Sequence, residues 1–321
     1  PRSTPKPSSA ASDVYKRQIF EHGQAISPII KKVENRIRGF VQIQNGCDHR
    51  CTFCIIPYGR GDSRSVEPEN VVNQINTLLD QGYKEIVLTG VDLTSYGHDL
   101  ENKPNLATLV SHILFSIPNL KRLRLSSLDV AEIDKNLMDL IKYEKRILPH
   151  IHLSLQAGDN MILKRMKRRH LRDDAISVIN EIRSVRSEVV FGADIIAGFP
   201  TENDEMFQNT VDLIEDCNIT FLHIFPFSPR EGTPAARMPQ VDRYIIKKRA
   251  KILREIGKKK LLEYYDELKN EKINVIVEDK GRGRSDTFAE VEVDNNLDNG
   301  QIVKMIVTGR NQVGLTGNIV V

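Results

Sequence analysis

The feature that most restricts the fold is a regular alternation of short apolar runs with amphipathic stretches between Gly39 and Phe225. Six of these runs have the composition of β-strands, and a helical periodicity occupies the gaps between them. Apolar strands separated by helices indicate a parallel sheet covered by helices. We therefore predict an α/β fold, a partial parallel (β/α)6 barrel over residues 39–240, with active groups at the carboxyl ends of its strands. The predicted strands are 39–43, 85–90, 122–126, 150–155, 189–196 and 221–225.

The pattern changes after residue 240. A long basic helix is predicted over residues 241–270, and four short β-runs with Gly, Asn and Asp turns follow. They predict a small antiparallel all-β barrel over residues 271–321. The segment Arg243–Lys260 holds nine Lys/Arg residues against the acid Glu255, and Lys164–Arg172 holds six more. Such runs are either solvated helix faces or contacts to a polyanion such as RNA, and a small basic barrel is either an RNA-binding module or a structural cap.

The first 38 residues differ from the rest of the chain. Residues 1–18 carry three prolines and four serines, which is typical of a disordered or artefactual tail, and residues 19–38 are predicted to form a linker. The start has no apolar segment of the kind found in signal peptides. No apolar run approaches the ~18 residues that a membrane span needs. We expect a cytoplasmic protein without a membrane partner.

Three cysteines, Cys47, Cys51 and Cys54, follow the first predicted strand in a short loop that begins at Gly46. Their soft thiolates suit iron–sulfur chemistry, and three of them can ligate three irons of a [4Fe-4S] cluster while the fourth iron stays open. Zinc would need His49 as a further ligand from inside the same loop, which is sterically awkward. A disulfide does not suit four cysteines in a chain without a secretory signal. Cys217, after a helical stretch, has the pattern of an ordinary buried cysteine.

Several separate motifs resemble those of the radical S-adenosylmethionine (SAM) methylthiotransferases. The segment 38–65 is similar to their cluster loop and its flanks. The run LSLQAGD at 153–159 resembles their HLxLQSG strand end, and DIIAGFPTE at 194–202 resembles their DxIxGFP motif. The run FPFSPREGTP at 225–234 is similar to their last barrel strand, and residues 271–321 resemble their RNA-binding TRAM domain. The resemblance covers the chain from about Val33 to Val321.

The resemblance implies a radical SAM barrel in which SAM chelates the open iron and is cleaved after one electron arrives from a reducing donor. It assigns Cys47, Cys51 and Cys54 to the metal. The residues that it places around SAM are Phe53, Thr89, Gly90, Val91, Ser154, Gln156, Asp194 and Ile196. Arg60 and Arg64 either pair with the SAM carboxylate or a phosphate, or are simply solvated. No side chain is assigned as a catalytic acid or base, because an unactivated C2–H of adenine requires a radical.

Three branches of this family act on threonylcarbamoyladenosine in tRNA, on isopentenyladenosine in tRNA, or on an aspartate of a ribosomal protein. The runs LTGVDLTSYG at 88–97 and RMKRRH at 165–170 resemble the first branch. That resemblance implies tRNA as partner and replacement of C2–H by a methylthio group on the modified adenosine beside the anticodon. The other two branches are the alternatives.

The cysteine count departs from the family pattern. Full-length relatives carry an N-terminal domain with three further cysteines for a second [4Fe-4S] cluster that handles sulfur. Four cysteines are too few for two clusters, so we expect this sequence to be a fragment without that domain. The alternatives are a different radical SAM reaction and a non-catalytic RNA-binding remnant. A protein that stays colourless after anaerobic reconstitution would favour the remnant.

Overall fold

The computed structural model describes residues 37–312 and 314–320. The predicted tail over 1–18, and all but the last two residues of the predicted linker over 19–38, lie outside the described residues. Arg38 already belongs to the first strand. Within the described part of the chain, no helix is both long enough and apolar enough to cross a lipid bilayer.

Six parallel strands form the main α/β unit, in two three-stranded sheets of order β1–β4–β5 and β6–β7–β8. Isolated bridges from Leu123 to Ile147 and from Leu128 to Leu153 connect the two sheets. A two-stranded ribbon of β2 and β3 flanks the cysteine loop. The strands are β1 (Arg38–Gln42), β2 (Gln44–Asn45), β3 (Arg64–Ser65), β4 (Glu85–Thr89), β5 (Leu123–Leu125), β6 (His150–Gln156), β7 (Val190–Ala197) and β8 (Phe221–Pro226).

Helices cover the outer face of these sheets. They are α1 (Ile56–Arg60), α2 (Pro68–Asp80), α3 (Leu106–Ser116), α4 (Lys135–Tyr143), α5 (Asn160–Met166), α6 (Arg172–Val185), α7 (Asp204–Asp216) and α8 (Arg243–Glu267). In α2, Val71, Ile75 and Leu78 recur at helical spacing and are fully buried against the sheet. Burial of each such side chain contributes about 1.5–3 kcal/mol. The apolar face predicted for this helix is therefore the face that packs in the core.

The two faces of the strands differ in chemistry. Aliphatic residues such as Ile86, Leu88 and Ile195 pack outward into the main core beneath the helices. The alternate residues face the barrel interior, and many of them are charged or aromatic. They bond across neighbouring strands, as Arg124 does to Glu85 and His152 does to Asp194. The interior is therefore polar, which is unusual for a structural core and marks it as a site.

The C-terminal region is a closed five-stranded barrel of order β10–β11–β13–β12–β9. Its strands are β9 (Lys272–Asp279), β10 (Arg282–Ser285), β11 (Glu290–Glu292), β12 (Ile302–Arg310) and β13 (Leu315–Val320). The prediction of four antiparallel strands was wrong in two respects, because β10 was missed and β11 pairs parallel with β13. The sequence of β10, Arg-Gly-Arg-Ser, has no apolar alternation. Its Gly283 is required by space, since an added Cβ would lie 2.5 Å from Val275 Cγ1.

This small barrel docks on the amino ends of the parallel strands. Its turn between β10 and β11 inserts there, and Arg124 donates hydrogen bonds to the Ser285 and Asp286 carbonyls, each at 3.0 Å. The Phe288 ring stacks on His150 with centroids 4.7 Å apart. The C-terminal barrel thus closes the amino end of the half-barrel and leaves the carboxyl end free.

Candidate active site

The cysteine loop lies at the carboxyl end of β1 and is held from three sides. Gly46 adopts φ +76°, and a Cβ there would lie 2.0 Å from the Asp62 carbonyl oxygen, so only glycine fits. The Cys47 amide donates to the Gly61 carbonyl at 3.1 Å. The Thr52 hydroxyl donates to the Arg165 carbonyl at 2.8 Å. These bonds fix the loop at the end of the barrel where functional groups of parallel α/β folds gather.

A cavity of about 260 Å³ opens beside the loop. Nine of the residues singled out from the sequence line it, namely Cys47, Cys51, Phe53, Cys54, Gly90, Val91, Ser154, Gln156 and Asp194. Two others do not: the Thr89 hydroxyl donates to the Val41 carbonyl at 3.3 Å, and Ile196 packs in a small apolar cluster with Phe199. The roles of these residues toward SAM stay predictions.

Arg60 and Arg64 also lie outside the residues that line this cavity. Arg64 Nη2 donates to the Arg60 carbonyl at 2.8 Å, and Arg60 Nη1 donates to Asn45 Oδ1 at 3.5 Å. Both guanidinium groups therefore brace the ribbon of β2 and β3, on the side of the loop that does not line the cavity.

The three thiols fit a cluster with three cysteine ligands. They are partly exposed around one cavity, whereas Cys217 is buried in the main core. Burial, assisted by the Asp92 carboxylate, raises the pKa of Cys47 to about 12. Burial also raises the pKa of Cys51, against the opposing charge of Arg168. Burial therefore favours the protonated form of Cys47 and Cys51, and binding of a metal, as in a cluster, would replace those protons.

His49 comes closer to the first cysteine than the sequence suggested. Ligand atoms of Cys47, His49 and Asp92 all lie within 4.8 Å of one another, so the loop does not keep the imidazole away. Its Nε2 is, however, 3.3 Å from Glu132 Oε1, and the pKa of His49 is raised chiefly by that hydrogen bond. Cys51 and Cys54 are not part of this trio. The imidazole is best described as one member of a charged network at the cavity rim.

That network was missed from the sequence. Burial opposes ionisation of Glu132, but hydrogen bonds from His49, Arg169 and Thr94 bring its pKa down to about 2. Arg168 Nη2 pairs with Asp129 Oδ2 at 2.8 Å, and its Nη1 lies 3.9 Å from Cys51 Sγ. The only sequence signal was the position of these acids directly after predicted strands. The sequence left the basic run Lys164–Arg172 open between a solvated helix face and a contact to a polyanion such as RNA.

Backbone strain adds to the site. Gln156 ends β6 with φ +70°, a left-handed conformation that costs a non-glycine residue about 1–2 kcal/mol. The register between β6 and β7 shifts at this point. Strain retained at a cavity wall indicates that the position of the Gln156 side chain matters to function.

The comparisons with known proteins agree with this site. The Radical SAM superfamily profile matches residues 41–214. The chain is 50% identical over 281 residues to the threonylcarbamoyladenosine tRNA methylthiotransferase MtaB of Rickettsia prowazekii (strain Madrid E), covering 88% of this chain and 67% of that protein. It is 36% identical over 278 residues to the tRNA-2-methylthio-N(6)-dimethylallyladenosine synthase of Neorickettsia sennetsu (strain ATCC VR-367 / Miyayama), covering 84% of this chain and 58% of that protein.

The chain therefore belongs to the radical SAM superfamily and, within it, to the methylthiotransferase family of these relatives. It spans 67% and 58% of the length of these two relatives. Among solved structures, the radical SAM methyltransferase TsrM from Kitasatospora setae is similar, with a TM-score of 0.52 at 18% identity over 69% of this chain and 44% of that one. That likeness supports the fold.

Proposed function

We propose that this chain carries the radical SAM portion of an enzyme that replaces C2–H of N6-threonylcarbamoyladenosine, beside the tRNA anticodon, by a methylthio group. One observation carries the proposal: Cys47, Cys51 and Cys54 surround a single cavity at the carboxyl end of the barrel. The substrate follows from similarity, which is 50% to the threonylcarbamoyladenosine enzyme against 36% to the dimethylallyladenosine enzyme.

The residues of the chain would hold the cluster and SAM and position them relative to each other. The three cysteines would hold the [4Fe-4S] cluster, and the cavity walls at Phe53, Gly90–Val91 and Ser154–Gln156 would hold SAM. When bound, the cluster and SAM supply the radical chemistry that an unactivated C–H bond requires. A reducing donor outside this chain supplies the electron.

The charged network orders one side of the cavity. Asp129 and the Ser154 carbonyl hold the Arg168 guanidinium against Cys51, with the carbonyl bond at 2.7 Å. Because the Arg168 side chain is only 6% exposed, its positive charge would offset the negative charge that three thiolates and sulfides bring to the same wall.

Fewer basic residues are available to contact tRNA than the sequence suggested. On α8, Arg249 is buried and bonded to Glu202, and Lys260 pairs with Glu215. The basic residues of α8 that remain exposed toward a phosphate backbone are Arg243, Lys247, Lys248, Lys251, Arg254, Lys258 and Lys259. We assign the RNA contact to these residues together with the C-terminal barrel, and a tRNA substrate places the enzyme in the cytoplasm.

Iron binding tests the metal assignment first. Anaerobically reconstituted protein is expected to bind about four irons and four sulfides, and Cys51→Ala is expected to lose most of both. Cys217→Ala is the matched control, because it removes a thiol that is buried in the main core. A Cys51→Ala protein with the iron content of the unchanged chain would contradict the assignment.

A paired assay on one sample tests the reaction. The reduced chain is expected to release 5′-deoxyadenosine, faster with tRNA bearing threonylcarbamoyladenosine than with tRNA bearing dimethylallyladenosine. These residues alone should form no methylthio nucleoside, because four cysteines cannot also ligate the second cluster on which the family assembles sulfur. Mass spectrometry of both products decides. Methylthio product from these residues alone would show that the second cluster is dispensable, and faster cleavage with the dimethylallyl substrate would reassign the substrate.

A further inference from the structure

The barrel interior is open along one side. Strands β1 and β8 are the outer strands of their sheets, and within the described residues they do not pair with each other. On the inner face of β8, the side chain of His223 is 60% exposed and Phe225 is 51% exposed. Phe40 of β1 is 39% exposed. Two aromatic rings and an imidazole thus flank an opening that is wide enough to leave them accessible.

Asp194 connects this opening to the SAM cavity. Its Oδ1 lies 3.2 Å from His223 Nδ1 and 3.0 Å from His152 Nε2, while the residue also lines the cavity beside the cysteines. A ligand that contacts His223 from the open side is therefore separated from the SAM cavity by the side chain of Asp194.

The same contacts orient the His223 ring and favour its charged form. Burial opposes ionisation of Asp194, but the hydrogen bonds from His152 and His223 hold its pKa at about 2. The hydrogen bond to Asp194 in turn raises the pKa of His223. With Nδ1–H donating to Asp194, Nε2 carries a proton and can donate only when the ring is charged, the form that this hydrogen bond favours by raising the pKa. Among the described residues, Asp194 is the only hydrogen-bond partner of this ring.

Resting on the proposed function, we infer that His223 selects the substrate by donating from Nε2 to a carboxylate on the N6 substituent of the target adenosine. The threonylcarbamoyl group ends in a carboxylate, whereas the dimethylallyl group has no polar atom. Phe225, two residues along the same strand face, offers a ring on which the base stacks. A site that pairs a charged substituent binds an analogue without it more weakly, because the hydrogen bond to the charged group is then missing.

A divalent metal is the competing occupant, since ligand atoms of His152, Asp194 and His223 lie within 4.8 Å of one another. Two observations favour recognition instead. Both imidazoles already share one carboxylate oxygen, so the trio has its hydrogen bonds without an ion. His223 is also the most exposed of the three, at the open side where a base enters.

The test uses three anticodon stem-loop RNAs of one sequence that carry threonylcarbamoyladenosine, dimethylallyladenosine or adenosine at the target position. The reconstituted chain is expected to bind the first about tenfold more tightly than the third, as a hydrogen bond to a charged group provides. His223→Phe should reduce that ratio to about twofold or less. His223→Gln, which keeps a neutral donor, should retain an intermediate ratio. His112→Phe on the outer helix α3 is the matched control.

The outcomes separate the inference from the function on which it rests. A tenfold ratio that survives both His223 variants overturns the inference, even if the threonylcarbamoyl stem-loop still stimulates SAM cleavage. If no stem-loop stimulates SAM cleavage by the unchanged chain, the proposed function fails instead. Zinc or manganese that stays bound stoichiometrically after cluster removal, and is lost in His223→Phe, would make the trio a metal site and also overturn the inference.

Discussion

The two ends of the parallel barrel are both rich in charge, yet they use it differently. At the amino end, Glu85 is fully buried and bonded to Arg122 and Arg124, and the C-terminal barrel covers all three. At the carboxyl end, Asp92, Asp129 and Arg168 line a cavity that stays open. Charge that is buried and fully paired secures a fold, whereas charge arranged around an opening is available for ligands. The predictions below test that contrast.

The largest effect is expected at the amino end. Glu85→Ala leaves Arg122 and Arg124 buried without their carboxylate, which costs about 3–5 kcal/mol of folding free energy. Urea unfolding of the reconstituted protein measures the loss. Glu69→Ala is the control, because its partner His112 lies on an exposed helix face and the change should stay within about 0.5 kcal/mol. Equal losses in the two variants would remove the distinction between a paired buried end and an ordinary surface.

A smaller effect is expected at the carboxyl end, and on a different property. Arg168→Met removes the cation 3.9 Å from Cys51 Sγ and should lower the reduction potential of the cluster by about 60 mV, a tenfold change for one electron. A redox titration followed by electron paramagnetic resonance measures it. Arg168→Lys keeps the charge and should shift the potential less. An unchanged potential in Arg168→Met would show that this guanidinium only braces the loop.

The smallest effect is expected for substitutions on α8, which should change only the salt dependence of tRNA binding. Lys258→Glu with Lys259→Glu should leave folding and iron content unchanged while reducing the slope of log K against log salt for tRNA by about 1.8, since each phosphate contact contributes about 0.9. Lys260 is left intact because it pairs with Glu215. The control is Lys121→Glu with Lys135→Glu, two exposed positions outside α8. If both double variants lowered the slope equally, α8 would have no special part in RNA binding.

The position of the candidate site could be predicted from sequence because Cys47, Cys51 and Cys54 lie within eight residues of one another, and the structure places all three around one cavity. The alternation of strands and helices could also be predicted, because the apolar residues of each element recur at a short period along the sequence. The charged network could not be predicted. Its residues Asp92, Glu132 and Arg168 come from three loops that meet only through the register of parallel strands. No short window of sequence contains that register.

For the basic run Lys164–Arg172, too, the sequence could not show which side chains have partners within the chain. The run holds no acid, which favoured a polyanionic partner, yet Arg169 pairs with Glu132 and Arg172 with Asp216. Arg165 bonds to the Thr201 hydroxyl at 2.8 Å. These arginines therefore have partners within the chain that lie tens of residues away, whereas Lys164 and Lys167 are exposed. On α8, by contrast, most basic side chains are exposed, and the RNA hypothesis retains its support there.

The docking of the C-terminal barrel has a consequence for the order in which the chain is completed. Arg122 leaves the ribosome 164 residues before Asp286, the residue that completes its ion pairs. At about 5–20 residues per second, roughly 8 to 30 s pass with the amino end of the nascent barrel uncovered. Strands β6 to β8 and their helices are themselves synthesised within that interval, so the half-barrel is complete only after Pro226, and its amino end then still lacks these contacts. Removing the last fifty residues would therefore make this immature state permanent, so the C-terminal barrel cannot be deleted to study RNA binding alone.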